Sequence, residues 1–120
     1  MRGGSFKELI VWQKSRIFVV KAYEATKDFP KDEMYGLRNQ LRRAAVSIPS
    51  NIAEGHRRGT SKEFIQFLKI ARGSLAESET QIILSNDLKY INDEVSNQLL
   101  DDIDEIGRIL NGLISSLGEK

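Results

Sequence analysis

A proline lies inside the segment of this chain that has the clearest helical pattern. Apolar residues recur at spacings of three and four from Met34 to Ile52, and the pattern keeps its phase across Pro49. A proline within a helix removes one backbone hydrogen bond and crowds the carbonyl four residues earlier, here that of Ala45, at a cost of about 3 kcal/mol. Because neighbouring structure must offset that cost, the segment predicts a kinked but continuous helix within a larger helical fold.

Polar side chains flank this proline. Ser47 and Asn51 lie on one flank of the apolar stripe, as do Gln40 and Glu54, and they can hydrogen-bond carbonyls that Pro49 leaves free. No histidine base accompanies the serines, so a nucleophilic active site is not indicated. We therefore predict that Ser47, Pro49 and Asn51 form a structural kink and that the protein has no catalytic residue.

The rest of the chain predicts three more helices and no strand. Helix one is expected over residues 5–27, behind a capping box formed by Ser5 and Glu8. Gly55 and Gly59 bracket a short basic loop. The other expected ends are an N-cap at Asp32 for helix two, a capping box of Thr60 and Glu63 and an end near Leu88 for helix three, and an N-cap at Asn92 for helix four.

These elements predict an all-α fold, an antiparallel up-down-up-down four-helix bundle with a proline kink in helix two, because long helices with short connections pack in that way. Residues 1–4 are expected to be a flexible N-terminus and residues 5–120 a single domain. Helix four repeats apolar residues at spacings of four and three from Leu99 to Leu117, as expected for a bundle helix.

Helices one and three are apolar on two sides. The predicted inner face of helix one is Phe6, Ile10, Ile17 and Val20. A bundle helix buries only one face, so the second faces favour a homo-oligomer. The alternative is that Trp12 or Ile70 lies over a bundle edge within one subunit. The expected oligomer-interface residues are Trp12, Val19 and Tyr23 on helix one, and Ile70, Glu77, Leu84 and Leu88 on helix three.

The net charge of +1 conceals an asymmetry along the chain. Residues 1–62 hold 13 Lys and Arg against 6 Asp and Glu, whereas residues 63–120 hold 5 against 11. Arginine suits phosphate because its planar guanidinium donates two parallel hydrogen bonds. The basic residues could bind nucleic acid, or pair with the acidic helix four of another copy. The candidate nucleic-acid-binding residues are Arg38, Arg42, Arg43, Arg57, Arg58 and Lys62. No aromatic residue lies within the basic loop, so base stacking is not indicated.

Several functional classes are disfavoured by composition. The chain has no cysteine, and its one histidine, His56, lacks the glutamate three residues earlier that di-iron bundle proteins use. We expect no metal, no cofactor and no enzymatic activity. No apolar run approaches the roughly 20 residues of a membrane span, and the N-terminus has no apolar signal core. A cytoplasmic protein without membrane contact is therefore expected.

Three segments carry a resemblance to a known family. They are SIPSNIAEG from Ser47, YGLRNQLRRAA from Tyr35 and EFIQFLKIARGSLAE from Glu63. They resemble the bacterial four-helix bundle family encoded by intervening sequences of 23S ribosomal RNA genes, and the likeness covers almost the whole chain. Related accessory proteins of diversity-generating retroelements form homopentameric barrels with a basic surface. The resemblance thus implies a pentamer that engages RNA or DNA, with a reverse transcriptase or another protein as a further partner, and it identifies no catalytic residue.

Overall fold

Four α-helices make up the computed structural model, which describes residues 4–118. They are α1 (Ile10–Thr26), α2 (Leu37–Arg57), α3 (Ser61–Asp87) and α4 (Asp93–Gly118), and no strand occurs among the described residues. The all-α prediction is confirmed. Of the expected flexible N-terminus, residues 1–3 lie outside the described residues.

The helices form an antiparallel bundle. Each helix packs against its sequence neighbours and α1 packs against α4, whereas within residues 4–118 the diagonal pairs do not approach each other closely. Lys14 pairs with Glu105 at 3.1 Å and Lys21 with Asp102 at 3.0 Å, so α1 and α4 run in opposite directions. The molecule measures 47 × 22 × 20 Å. This is the predicted up-down-up-down bundle.

Helix α1 begins later than the sequence predicts. Ser5 does cap the chain, since its Oγ accepts a hydrogen bond of 3.1 Å from the Lys7 N–H, but it caps only the 3₁₀ turn Phe6–Glu8. Leu9 is extended, with φ −73° and ψ 128°, and it separates that turn from α1. The predicted start at Ser5 is therefore wrong by five residues.

The buried face of α1 also differs from the predicted one. Ile10, Ile17 and Val20 are more than half exposed, so the expectation that they face the core is wrong. The reason is that α1 buries small polar side chains, which a hydropathy pattern counts as surface. The hydroxyls of two of them are satisfied within the helix, because they donate to the carbonyl four residues earlier. The buried residues of α1 are Val11, Ser15, Phe18, Ala22 and Thr26.

The start of α2 is set by Glu33 and not by Asp32. Residues Lys31–Glu33 form a 3₁₀ turn, and α2 starts at Leu37, whose N–H donates a hydrogen bond of 2.9 Å to the Glu33 carboxylate. The Tyr90 hydroxyl donates to the same carboxylate, also at 2.9 Å. These two hydrogen bonds, that from Leu37 first, hold the pKa of Glu33 below its usual value. The predicted cap at Asp32 is wrong.

At its other end, α2 passes through the predicted loop glycine. Gly55 is buried within α2, and an added Cβ would lie 2.6 Å from Phe67 Cβ and 3.1 Å from Phe64 Cδ1. The expectation that a loop starts at Gly55 is therefore wrong, because this glycine permits close packing of α2 on α3. The turn is formed by residues 58–60, where Gly59 has a φ of +91°, which favours glycine.

The remaining helix starts and core stripes agree with the sequence. Thr60 caps α3 by accepting a hydrogen bond of 3.2 Å from the Glu63 N–H, and Asn92 Oδ1 accepts one of 2.8 Å from the Val95 N–H. No helix within residues 4–118 is long and apolar enough to cross a membrane. The confirmed core positions are Leu41, Ala44, Ala45, Ile48 and Ile52 of α2 and Leu99, Ile103, Ile106 and Leu110 of α4.

Replacing Gly55 with alanine should destabilise the fold. The added methyl group meets Phe67, which overpacks the contact by about 1–3 kcal/mol, against a gain of about 0.5–1 kcal/mol from helix propensity. The matched control is Gly73→Ala, since nothing lies within 4 Å of a Cβ at Gly73 of α3, and only the gain applies there. Urea unfolding followed by circular dichroism measures both variants. Equal stabilisation of both would contradict a close α2–α3 contact.

Candidate nucleic-acid interface

The six basic candidates form two groups at opposite ends of α2. Arg38, Arg42 and Arg43 lie in its N-terminal third, whereas Arg57, Arg58 and Lys62 lie around the turn to α3. Fourteen residues separate Arg43 from Arg57, about 21 Å along a helix that rises 1.5 Å per residue. The structure therefore does not gather the six residues into one compact cluster.

Arg42 holds α1 and α2 together. Its Nε donates a hydrogen bond of 2.8 Å to Thr26 Oγ1, and its Nη2 donates one of 3.2 Å to the Tyr23 carbonyl. The guanidinium also lies 4.4 Å from the centroid of the Tyr23 ring. The carbonyl belongs to the last turn of α1, where a positive charge is favourable. With these donors engaged within the chain, Arg42 serves the fold.

Arg58 is likewise engaged within the protein. It pairs with Glu54 at 3.0 Å and with Glu63 at 3.8 Å, and its guanidinium lies 4.9 Å from the Phe67 ring centroid. These contacts join the end of α2 to the start of α3. Arg58 is half exposed, so its ion pairs are screened by solvent and contribute little to stability.

The other four basic candidates form no ion pair with another described residue. Arg43, Arg57 and Lys62 are exposed, and Arg38 is half-buried. Of these, Arg43 and Arg57 project from the outer side of α2, away from the core. A phosphate could reach these two arginines from the outer side of α2, and the exposed Lys62 lies at the start of α3.

Two aromatic residues near the N-terminus, which the sequence patterns did not connect with the arginines, lie beside them. The Phe6 ring lies 5.3 Å from the Arg57 guanidinium, and it meets the Trp12 ring edge-on at a centroid distance of 5.3 Å. Arg16 lies 5.6 Å from the Trp12 centroid. Antiparallel pairing of the first two helices is the signal that could have located this contact.

A groove of about 440 Å³ lies between α1 and α2 beside these rings. Pro49 lies on its α2 wall, so the proline that marks the sequence is also part of a surface feature. We call this feature the α1–α2 groove. It is lined by Phe6, Trp12, Arg16, Val19, Val20, Val46, Pro49, Ser50 and Ala53.

The polar flank around Pro49 is hydrogen-bonded as a unit. The Asn51 side-chain amide donates to the Ser47 carbonyl at 2.8 Å and to Ser47 Oγ at 2.9 Å. The Ser47 hydroxyl lies 2.8 Å from that of Ser74 on α3, which links the two helices. Helix α2 continues through Pro49, as predicted, while the kink itself stays a prediction.

The predicted oligomer-interface residues occupy two different environments. Tyr23 lies beneath Arg42, and Trp12 and Val19 line the α1–α2 groove of the same subunit. By contrast, an exposed stripe runs along α3 to its C-cap, and its members are seven, seven and four residues apart. We call it the α3 stripe, and it consists of Ile70, Glu77, Leu84 and Leu88, of which the three apolar residues are each about half exposed.

Charge is unequally distributed over the diagonal helices. Helix α2 carries four arginines and one glutamate, whereas α4 carries six carboxylates and one arginine. Two of the α4 carboxylates pair with lysines of α1.

Among residues 4–118, no group of three or more His, Asp or Glu side chains could hold a metal ion.

The two adjacent arginines of α2 should differ in their effect on stability. Arg42→Ala removes two hydrogen bonds and leaves the Thr26 and Tyr23 acceptors without this donor, so it should lower the free energy of unfolding by about 1–2 kcal/mol. Arg43→Ala, one residue away and exposed, should change it by less than about 0.5 kcal/mol. Thermal unfolding of the pair checks this, and equal losses would show that Arg42 does not brace α1.

Comparisons with known proteins identify the family. A family model described as 23S rRNA-intervening sequence protein matches residues 7–112. The chain is also similar to a crystal structure of a protein of unknown function from the S23 ribosomal protein family of Bacteroides thetaiotaomicron. The TM-score is 0.81 at 27% identity, over 88% of this chain and 98% of that chain. No curated protein matches the chain. With its four-helix bundle and a family match over residues 7–112, the chain belongs to the 23S rRNA-intervening sequence protein family.

Proposed function

We propose that this protein is a non-enzymatic, homo-oligomeric bundle that binds nucleic acid through the outer face of α2. The observation that carries the proposal is the pair Arg43 and Arg57, exposed on that face without an ion pair among residues 4–118. Both guanidiniums can donate to phosphate oxygens with no intramolecular carboxylate to displace. The family resemblance implies five subunits.

Each subunit alone binds nucleic acid weakly and with little sequence preference. Phosphate contacts position a protein on nucleic acid but do not read bases, and an arginine pair about 21 Å apart suits an extended backbone better than a single phosphate group. An oligomer repeats the pair in every subunit, which multiplies the contacts and the dependence on salt.

The α3 stripe supports the oligomeric part of the proposal. Its three apolar residues are about half exposed, and on the diagonal helix α1 the side chains of Ile10, Ile17 and Val20 are also exposed. Because α1 and α3 are diagonal, the two apolar surfaces point away from each other. A contact between unlike surfaces repeats from copy to copy and can close into a ring.

A protein-interaction scaffold is the second candidate function. It is favoured by the carboxylates of α4, since α2 of one copy could pair with α4 of the next without nucleic acid. Asp101 of α4 is exposed and forms no ion pair among the described residues, which leaves it open to such a partner. In this alternative, Arg43 and Arg57 serve subunit contacts.

Charge reversal on α2 tests the nucleic-acid proposal. The double variant Arg43→Glu with Arg57→Glu should lose affinity for a short RNA hairpin and for duplex RNA by about tenfold or more, because two phosphate contacts become repulsive. The matched control, Lys31→Glu with Lys69→Glu, reverses two charges outside α2 and should bind as the parent does. Fluorescence anisotropy at 50 and 200 mM salt measures each affinity.

The outcomes separate the two candidate functions. No binding by the parent protein at 50 mM salt would overturn the nucleic-acid proposal. Dissociation of the oligomer by the α2 double variant, without any nucleic acid present, would favour the scaffold. A binder that loses affinity but stays assembled supports the first proposal.

The α3 stripe should be required for assembly. Ile70→Asp with Leu84→Asp places two charges on the proposed contact, so the variant should be monomeric in multi-angle light scattering at micromolar concentration. Met34→Asp with Tyr35→Asp is the matched control, because both residues are exposed in the connection before α2. A parent protein that is itself monomeric would refute the oligomer, and an assembled double variant would exclude the α3 stripe from the interface.

A further inference from the structure

Two arginines flank two aromatic rings along one edge of the α1–α2 groove. The order is Arg57, Phe6, Trp12 and Arg16. The Arg57 guanidinium carbon lies 5.3 Å from the Phe6 centroid, the two ring centroids lie 5.3 Å apart, and the Arg16 guanidinium carbon lies 5.6 Å from the Trp12 centroid. Two of these residues come from the segment before α1 or its first turn, one from the middle of α1 and one from the end of α2. Only the folded chain brings them together.

The guanidiniums keep their donors available in this arrangement. A guanidinium carries five N–H donors, more than a contact with one aromatic ring engages, so donors stay free for an anion. Neither Arg16 nor Arg57 forms an ion pair or a side-chain hydrogen bond with another described residue. The edge of the groove therefore offers two cations and two ring systems in one row.

The wall of the groove opposite the rings is shallow and apolar. Pro49 and Ala53 of α2 are short, and Val46 beside them is 38% exposed. A docked peptide helix would need a deep pocket for a leucine or phenylalanine anchor. This shallow wall does not form such a pocket. A flat, apolar group beside an anion fits this surface better.

We propose that the α1–α2 groove binds single-stranded nucleic acid, with bases stacked at Trp12 and Phe6 and phosphates bound by Arg16 and Arg57. This inference rests on the proposed function and names its ligand class. Bases in a duplex stack on one another and present only their edges, whereas unpaired bases can stack on protein rings. An anionic backbone and planar bases match this row, in which two rings stand between two cations.

Trp12 provides a direct measurement, because it is the only tryptophan of the chain. Titration of the full-length protein with a 12-nucleotide oligouridylate at 50 mM salt should quench its emission as bases stack on the indole. A 12-base-pair RNA duplex should bind the exposed α2 arginines with much less quenching. Polyglutamate, an anionic polymer without planar bases, is the third titrant and should not quench.

Two variants test the rings themselves. Trp12→Leu and Phe6→Leu should each lower the anisotropy-measured affinity for the oligouridylate by about tenfold, the typical effect of losing one stacked base. Affinity for the duplex should change by less than about twofold. Phe6 belongs to a turn outside the four helices, so its variant keeps the test valid if Trp12→Leu unfolds. Tyr35→Leu, which removes an aromatic ring that is 88% exposed, is the matched control.

The remaining outcomes of these titrations would contradict either stacking in the groove or the proposed function. Unchanged tryptophan emission, or equal losses of oligouridylate and duplex affinity in the Phe6 variant, would refute stacking in the groove while leaving the proposed function intact. Quenching by polyglutamate equal to that by oligouridylate would assign the groove to an acidic polypeptide. Absence of binding to both RNA forms would refute the proposed function together with this inference.

Discussion

The close contact of α2 with α3 at Gly55 is the constraint on which the other surfaces depend. Without a side chain on Gly55, α2 can pack directly on Phe64 and Phe67, and it stays helical to the turn that reverses the chain. This contact fixes how α2 is rotated about its axis. Given that rotation, the apolar stripe of α2 faces the core, Pro49 faces α1 and the arginine pair faces outward.

Much of the fold could be predicted from sequence, because helix number and several helix ends depend on local signals. Thr60 and Asn92 cap helices wherever the following residues are helical, and the stripes of α2 and α4 have a single apolar side. The prediction for α1 was wrong because its buried face includes Ser15 and Thr26, which a hydropathy pattern counts as surface. The loop predicted at Gly55 was wrong because tertiary packing on α3 keeps this glycine helical. The cap predicted at Asp32 was wrong because the carboxylate of the next residue, Glu33, accepts the hydrogen bond instead.

The candidate site was less predictable than the fold. Arg42 and Arg43 are the same residue type in adjacent positions, yet a rotation of about 100° per residue turns one toward Thr26 and the other toward solvent. Phe6 and Arg57 are far apart in sequence, and they meet only because α1 and α2 pair in opposite directions. Helical spacing separates Arg42 from Arg43, but it does not identify Thr26 or Phe6 as partners, since both contacts depend on the register between helices.

Opposite charges on diagonal helices give the protein an electric dipole across the bundle. The dipole points from α4, which carries six carboxylates, to α2, which carries four arginines. It is therefore perpendicular to the helix axes. Such a field orients molecules before their side chains touch. Two copies that drift together therefore rotate toward an α2-to-α4 approach. The range of this alignment is about 10 Å at 0.1 M salt, so the ionic strength of the surroundings sets how far apart neighbours first influence each other.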